Sequence, residues 1–228
     1  KLKLTGSPQS DIWSVKRNSE ALNAVIKNLD KKKKNILYMS FGVRAYLNFF
    51  YSDESRNWDS LYKEVHEELA DFIIKNKDDV NVLYKIGSKP ARDYWHGFDD
   101  FYKKLKDNGA ESSLIQLKGK ILTPELLPYI DLTISFQTTG VVEAMFHDSP
   151  IIYLGWGELY EDIKHTLHNF ENSGVLYASS KEKLRNLMNM FIDDELPEME
   201  TYKFNKWKYD FFYKADGNSS SRILKVVS

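Results

Sequence analysis

Residues 131–154 read DLTISFQTTGVVEAMFHDSPIIYL, and this stretch decides the architecture. An apolar run of strand length, 131–136, ends in Gln137-Thr138-Thr139-Gly140. A helical pattern follows over 139–147, and Pro150 opens a second short apolar run over 150–154. Two short strands joined by a helix need a crossover connection and therefore lie parallel in one sheet. Strands without a polar face must be covered on both sides.

The same rhythm extends outward in both directions. Further strands are predicted at 35–41 (NILYMSF), 80–86 (VNVLYKI), 113–117 and 175–178. Between 58 and 76, Leu61, Val65, Leu69, Phe72 and Ile73 recur at helical spacing. A helix over 91–108 is stopped by Gly109, and one over 123–129 starts with Thr123 as N-cap and Pro124 in the first helical position. Helices are also expected over 158–171, 180–193 and 198–214. The alternation predicts an α/β fold, a doubly wound, Rossmann-like parallel sheet over 35–196. Residues 1–34 fall outside the rhythm and read as an interdomain linker, turning at Gly6-Ser7-Pro8, with a polar helix over 11–28. Residues 197–228 read as an aromatic helix and tail packed on the domain.

Composition narrows the functional classes. The chain has 228 residues, with 32 Lys and Arg against 33 Asp and Glu, a balance that does not favour nucleic acid as a partner. It contains no cysteine, which excludes disulfides, thiolate metal sites and cysteine nucleophiles and points to the cytoplasm. No apolar run approaches the roughly 18 residues of a membrane span. The first residue is lysine rather than methionine, which predicts a piece of a longer chain. The one dense basic run, Lys31 to Lys34, reads as a solvated loop before a strand in preference to a membrane or polyphosphate contact.

In an open parallel sheet, ligands bind beyond the carboxyl ends of the strands where the strand order reverses. The residues just after each strand are thus the informative ones: Ser40, Gly42 and Arg44; Lys85, Gly87, Ser88 and Lys89; Gln137 to Gly140; and Gly155-Trp156-Gly157. The third group carries the strongest signal. Small and hydroxyl residues at a strand-to-helix junction leave backbone N–H groups free for an anion, and the helix dipole adds to the attraction. Thr138 and Thr139 add hydroxyls, Gly140 allows close approach of a phosphate, and Glu143 stands one helical turn on, where a carboxylate can accept both hydroxyls of a ribose. The alternative is a plain connection in which Thr139 only caps the helix. Arg44 is either a phosphate clamp or a surface arginine. Lys85 ends an apolar strand, where an unpaired ammonium is costly, so an anionic partner is expected. Lys89 and Arg92 read as solvated.

The five histidines form no metal-ligand pattern. His165 and His168 stand three apart on an expected helix without a third ligand, His147 ends a helix, and His66 and His96 read as helix-face residues. No catalytic residue can be singled out. The tail at 202–213 alternates bases with aromatics, and a packed helix burying Phe204, Trp207, Phe211 and Phe212 explains it better than single-stranded nucleic acid.

These residues together resemble the C-terminal domain of GT-B-fold glycosyltransferases of bacterial capsule and surface-polysaccharide synthesis, and the related nucleotide-sugar 2-epimerases. The segment 4–11 (LTGSPQSD) resembles the "TGxPxxD" with which such enzymes leave their N-terminal domain. Residues 127–154 resemble their "aDlvIsxxSTTGxEAxxxgkPvIxl" block, and Asp216-Gly217 to Arg222-Ile223 resembles a terminal "DGxxxxRI". The residues after the strands give Gly42, Arg44, Lys85, Gln137, Thr138, Thr139, Gly140 and Glu143 as the candidate donor site, and the resemblance implies the hydroxyl-Gly pair on the diphosphate and the glutamate on the ribose. It implies a nucleotide-sugar substrate such as a UDP- or CMP-sugar, no cofactor, no metal, and an N-terminal acceptor domain that this chain lacks. A fragment of this kind is expected to bind but not transfer, and the full protein to work in the cytoplasm or at the inner face of the membrane. The second-strand motif "KxHP" of the family is here Lys85-Ile86-Gly87-Ser88-Lys89-Pro90, so the lysine matches and the histidine does not. An epimerase, or a non-catalytic binding domain, is the alternative.

Overall fold

In the computed structural model, which describes residues 3–15, 19–42, 47, 56–86, 97–117 and 121–227, the apolar runs form six strands. They are β1 (Lys34–Met39), β2 (Val80–Lys85), β3 (Leu114–Leu117), β4 (Leu132–Ser135), β5 (Ile151–Leu154) and β6 (Leu176–Ala178). Every pairing is parallel, and the order is β3-β2-β1-β4-β5-β6. The expected doubly wound sheet is what forms. The chain reverses its direction of travel between β1 and β4, so the switch point lies at the carboxyl ends of those two strands.

Helices cover both faces, as strands apolar on both sides require. In one layer α3 (Asp59–Lys75) packs against α4 (Phe98–Asp107) and α8 (Lys181–Ile192). Glu68 of α3, 4% exposed, takes a two-pronged contact from Arg185 of α8, which keeps the buried carboxylate paired. In the other layer α6 (Thr139–Phe146) packs against α5 (Thr123–Leu126) and α9 (Thr201–Phe212). The predicted stop at Gly109 is present: it adopts φ +61°, and Ala110 N–H reaches back to Leu105 O at 2.9 Å.

Several local expectations are corrected. Residues 158–171 do not form one helix; α7 (Glu158–Ile163) gives way to short 3-10 turns at Lys164–Thr166 and Phe170–Asn172. The cause is Gln137, whose side-chain amide takes both the N–H and the C=O of His168, groups a continuous helix would need for itself. At α5 the cap position belongs to Leu122, and Thr123 is the first helical residue. The basic run is more than a solvated loop: Lys33 donates to Lys77 O, and Lys34 closes the carboxyl end of α8 through Phe191 O, Ile192 O and Asp194. The expected helix over 91–108 is described only as α4 from Phe98, since 87–96, with Gly87, Ser88, Lys89, Arg92 and His96, lie outside the described residues.

The leading segment packs on the domain. It forms α1 (Pro8–Asp11), a 3-10 turn at Ile12–Ser14 and α2 (Glu20–Asn28), which adds Leu22 to the core, while Trp13 packs edge-on against Phe146 and Phe212. A helix absent from the sequence reading, α10 (Ser219–Val227), is opened by Asp11, whose carboxylate accepts from Ser219 N and Ser220 N at 2.9 and 2.7 Å. Arg222 grips Asp216 with both oxygens at 2.8 Å and donates to Thr5 O. The two terminal motifs therefore meet. A Cβ on Gly6, which sits at φ +83°, would run into Ser219 Oγ at 2.6 Å and Phe212 O at 2.8 Å, so only glycine fits this junction. In the aromatic tail Phe204 and Phe212 are core, but Phe211 remains 45% exposed and stacks on half-buried Trp207.

Candidate functional site

At the switch point, a buried hydroxyl ties the two central strands together. Ser135, fully buried at the end of β4, holds its one hydroxyl proton between Met39 O of β1 at 3.2 Å and Phe136 O at 3.1 Å, and lies 3.2 Å from Thr138 Oγ1. This fixes the turn from which α6 starts. Thr138 is the N-cap, Thr139 the first helical residue, and the N–H groups of Thr139 and Gly140 have no partner among the described residues. The geometry is that of a helix start aimed across a strand end, with its dipole unopposed. Thr139 is exposed, Thr138 half-buried and Gly140 buried.

Gly140 has a second reason to be glycine. A Cβ there would run into Met39 Sδ and lie 2.8 Å from Met39 Cε, so an added side chain would require the buried end of Met39 to shift. Gln137 faces the other way from the expected ligand side. It is 2% exposed, and its amide is held by Tyr153 Oη at 2.7 Å and His168 O at 2.6 Å, which leaves its side chain no free group for a donor. Gly42 is half-buried just beyond Phe41, and Arg44 lies outside the described residues.

Glu143, one turn into α6, is half-buried, and burial pushes its carboxyl above the usual carboxylate range. Thr123 and Lys85 oppose that rise. Lys85 ends β2 opposite Met39 of β1 and is half-buried; burial pulls its ammonium down, while Glu143 and Glu125 hold it charged. Its Nζ donates to Ile121 O at 2.7 Å and to Thr123 Oγ1 at 3.0 Å. The direct partners of the ammonium are thus a carbonyl and a hydroxyl, with the Glu143 and Glu125 carboxylates near enough to favour its charge. Thr123 and Ser135 are members of the constellation that sequence reading left out. Thr123 signalled itself only as a helix start.

The histidines lie elsewhere. His66 is core, with Nδ1 on Tyr62 O and Nε2 on Tyr84 Oη; His147 caps the end of α6; and among the described residues no group of three His, Asp or Glu is placed to hold a metal. The larger described cavity, about 560 Å³, opens between α3 and α4 over His66 and contains no residue of this constellation.

No family model matches the chain, and no curated protein does either. Solved structures do. A UDP-N-acetylglucosamine 2-epimerase superposes with a TM-score of 0.57 at 14% identity over 98% of this chain and 50% of its own. HepE from Anabaena, solved with UDP-glucose, gives 0.52 at 12% identity over 93% and 54%, and the wall teichoic acid polymerase TagF gives 0.51 at 16% over 99% and 51%. At such identities the likeness concerns the fold: this chain has the architecture of the Rossmann-like C-terminal domain of GT-B proteins. It spans about half the length of each of the three. Among the described residues, no helix is long and apolar enough to cross a membrane.

Proposed function

We propose that this chain is the donor-binding half of a glycosyltransferase that moves a sugar, or a sugar-phosphate-like group, from a nucleotide to an acceptor in surface or capsular polysaccharide synthesis. The observation that carries the reading is the open start of α6 at the switch point, with a half-buried carboxylate one turn on. In this reading the N–H groups of Thr139 and Gly140 and the hydroxyls of Thr138 and Thr139 meet the diphosphate. Glu143 accepts the ribose hydroxyls, and Gly42 and Arg44, which follow β1 in the sequence, are the further candidates for the phosphates. The acceptor oxygen bonds to the anomeric carbon as the bond to the diphosphate breaks, and the helix start stabilises the negative charge left on the nucleotide. The acceptor and its proton acceptor belong to a second domain, so this half alone binds without transferring. The full protein would act in the cytoplasm, at the inner face of the membrane.

Calorimetry with UDP, CMP and their sugar conjugates tests the reading. UDP compounds come first, because HepE was solved with UDP-glucose. Saturable binding is expected, weakened about a hundredfold by Glu143→Ala through loss of two charge-assisted hydrogen bonds. Binding to none of these nucleotides overturns the proposal. A second reading, a nucleotide-sugar 2-epimerase, is favoured by the likeness to UDP-N-acetylglucosamine 2-epimerase. Incubating a longer version containing both domains with UDP-N-acetylglucosamine alone separates the two, since epimerisation needs no acceptor.

A further inference from the structure

The turn that opens α6 is pinned from two sides. On one side Ser135 stands in register with Met39 of β1 and Tyr153 of β5, and its hydroxyl lies among Met39 O, Phe136 O and Thr138 Oγ1. On the other stands Gln137, two residues on. Its amide nitrogen donates to Tyr153 Oη at 2.7 Å and to His168 O at 2.6 Å, and its oxygen accepts from His168 N at 3.3 Å. Both amide protons are engaged and the side chain is buried, so the amide serves the protein and not a ligand.

The chain gives up a continuous helix for this arrangement, because Gln137 takes the N–H and the C=O of His168 in the segment after α7. Tyr153, which receives the remaining bond, is fully buried on β5. A buried amide is costly unless its groups are matched, and a matched one fixes a single geometry. What it fixes adjoins it directly. Thr138, the next residue, is the N-cap of α6, and the N–H groups of Thr139 and Gly140 follow without a partner among the described residues. Donors that meet a phosphate act best when their direction is set beforehand by neighbours that do not themselves touch it. Ser135 ties this turn to β1, and Gln137 ties it to β5 and to the backbone at 168.

We infer that Gln137 is a positioning residue: its brace to Tyr153 and His168 holds the turn from Thr138 to Gly140 in the orientation that meets the diphosphate, while its own side chain touches no part of the nucleotide. This rests on the nucleotide reading above and assigns its phosphate subsite a support that crosses from β4 to β5 and the segment after α7.

The test compares UDP and CDP with uridine and cytidine, which keep base and ribose but bring no phosphate to the turn. Affinities are measured on the wild-type chain, Gln137→Met and Tyr153→Phe, by calorimetry for the diphosphates and by ligand-detected NMR titration for the nucleosides. Urea melts of the same proteins record stability. Gln137→Met keeps the length of the side chain and removes its hydrogen bonds. It is expected to weaken the diphosphates about tenfold, the usual weight of one hydrogen bond to a charged group. The nucleosides should stay within about twofold, inside the ordinary scatter of a distant substitution. Tyr153→Phe removes one bond of the brace at a fully buried position and should weaken the diphosphates about threefold, again sparing the nucleosides. A glutamine that serves only the fold would lower the urea midpoint and leave diphosphate affinity at the wild-type value, and that result overturns the inference. Equal weakening of diphosphate and nucleoside overturns it as well, because the disturbance is then not confined to the turn. Should Gln137→Met not fold, Tyr153→Phe decides by the same two criteria. Absence of UDP and CDP binding by the wild type would instead overturn the nucleotide reading itself, before any variant is made.

Discussion

Tyr84 and Lys85 are neighbours on β2, yet they enter two opposite kinds of polar interior. Strand alternation sends them to opposite faces of the sheet. Tyr84 joins the layer of α3 and α4, where its hydroxyl meets His66 Nε2 at 2.8 Å while Nδ1 meets Tyr62 O at 2.7 Å. Since a carbonyl only accepts, Nδ1 carries the proton, Nε2 accepts from Tyr84, and the imidazole is neutral with both nitrogens engaged. Lys85 enters the layer of α5 and α6, where two formal charges, its own and that of Glu143, stand half-buried beside an open helix start. A neutral network costs nothing further to keep dry, whereas a charged one is retained against its desolvation cost. The difference separates a structural network from a functional candidate one residue apart on the same strand.

The largest test of this contrast is acid stability. Burial holds His66 down to about 4 from an ordinary 6.5. A depressed histidine contributes stability that is complete above the unfolded pKa and lost as pH falls from about 6.5 toward 4. That shift corresponds to on the order of 3 kcal/mol. Urea melts between pH 7 and 4 should therefore show a steep loss in the wild type and a shallower one in His66→Gln, with the gap between them closing toward pH 4. A gap that stays constant across the range would show that the imidazole does not titrate with folding, and the contrast with Lys85 would collapse.

The second test concerns the start of α6. Gly140→Ala is expected to cost about 2 kcal/mol by overpacking against Met39. Shortening the partner in Met39→Ala/Gly140→Ala should return part of that loss, giving a coupling of about 1 kcal/mol in a double-mutant cycle. If the two substitutions add without coupling, glycine is needed at 140 for a reason other than β1. A loss of nucleotide affinity that persists in the double variant would then assign the glycine to the ligand.

Much of this was legible in the chain itself. Six apolar runs and the helices between them follow from local periodicity, and Gln137 to Gly140 is visible as a strand-to-helix turn of small polar residues. What was not legible depends on contacts distant in sequence. The 158–171 pattern is helical by itself, but Gln137 takes the His168 backbone and breaks it. The start of α10 is set by Asp11, at the far end of the chain. Gln137 looks like a ligand-facing amide until Tyr153 and the 168 loop enclose it, and Thr123 looks like a cap until Lys85 reaches it from β2. The unusual ammonium at the end of β2 did announce itself from sequence, because hydrophobic context makes its cost apparent; the carbonyl and hydroxyl that answer it, Ile121 O and Thr123 Oγ1, lie on another part of the chain.

The smallest expected effect is also the most direct separation of stability from function. Because burial raises the Glu143 carboxyl, the folded state holds its proton more tightly than the unfolded chain does. Its ionisation is thus a cost to stability, absent at low pH and incurred as pH rises through the elevated value. Glu143→Gln removes the charge and keeps the shape, so at pH 7 it should equal or exceed the wild type by up to about 1 kcal/mol, in line with the gains seen when strained functional groups are relieved. The advantage should vanish in acid, where Glu143 is protonated in both states. His66→Gln behaves in the reverse sense, costing stability near neutral pH and little in acid. Thermal melts of both variants at pH 7 and pH 4 put the two clusters on one scale. If Glu143→Gln destabilises at pH 7 by as much as His66→Gln, the carboxylate is a structural anchor like the imidazole.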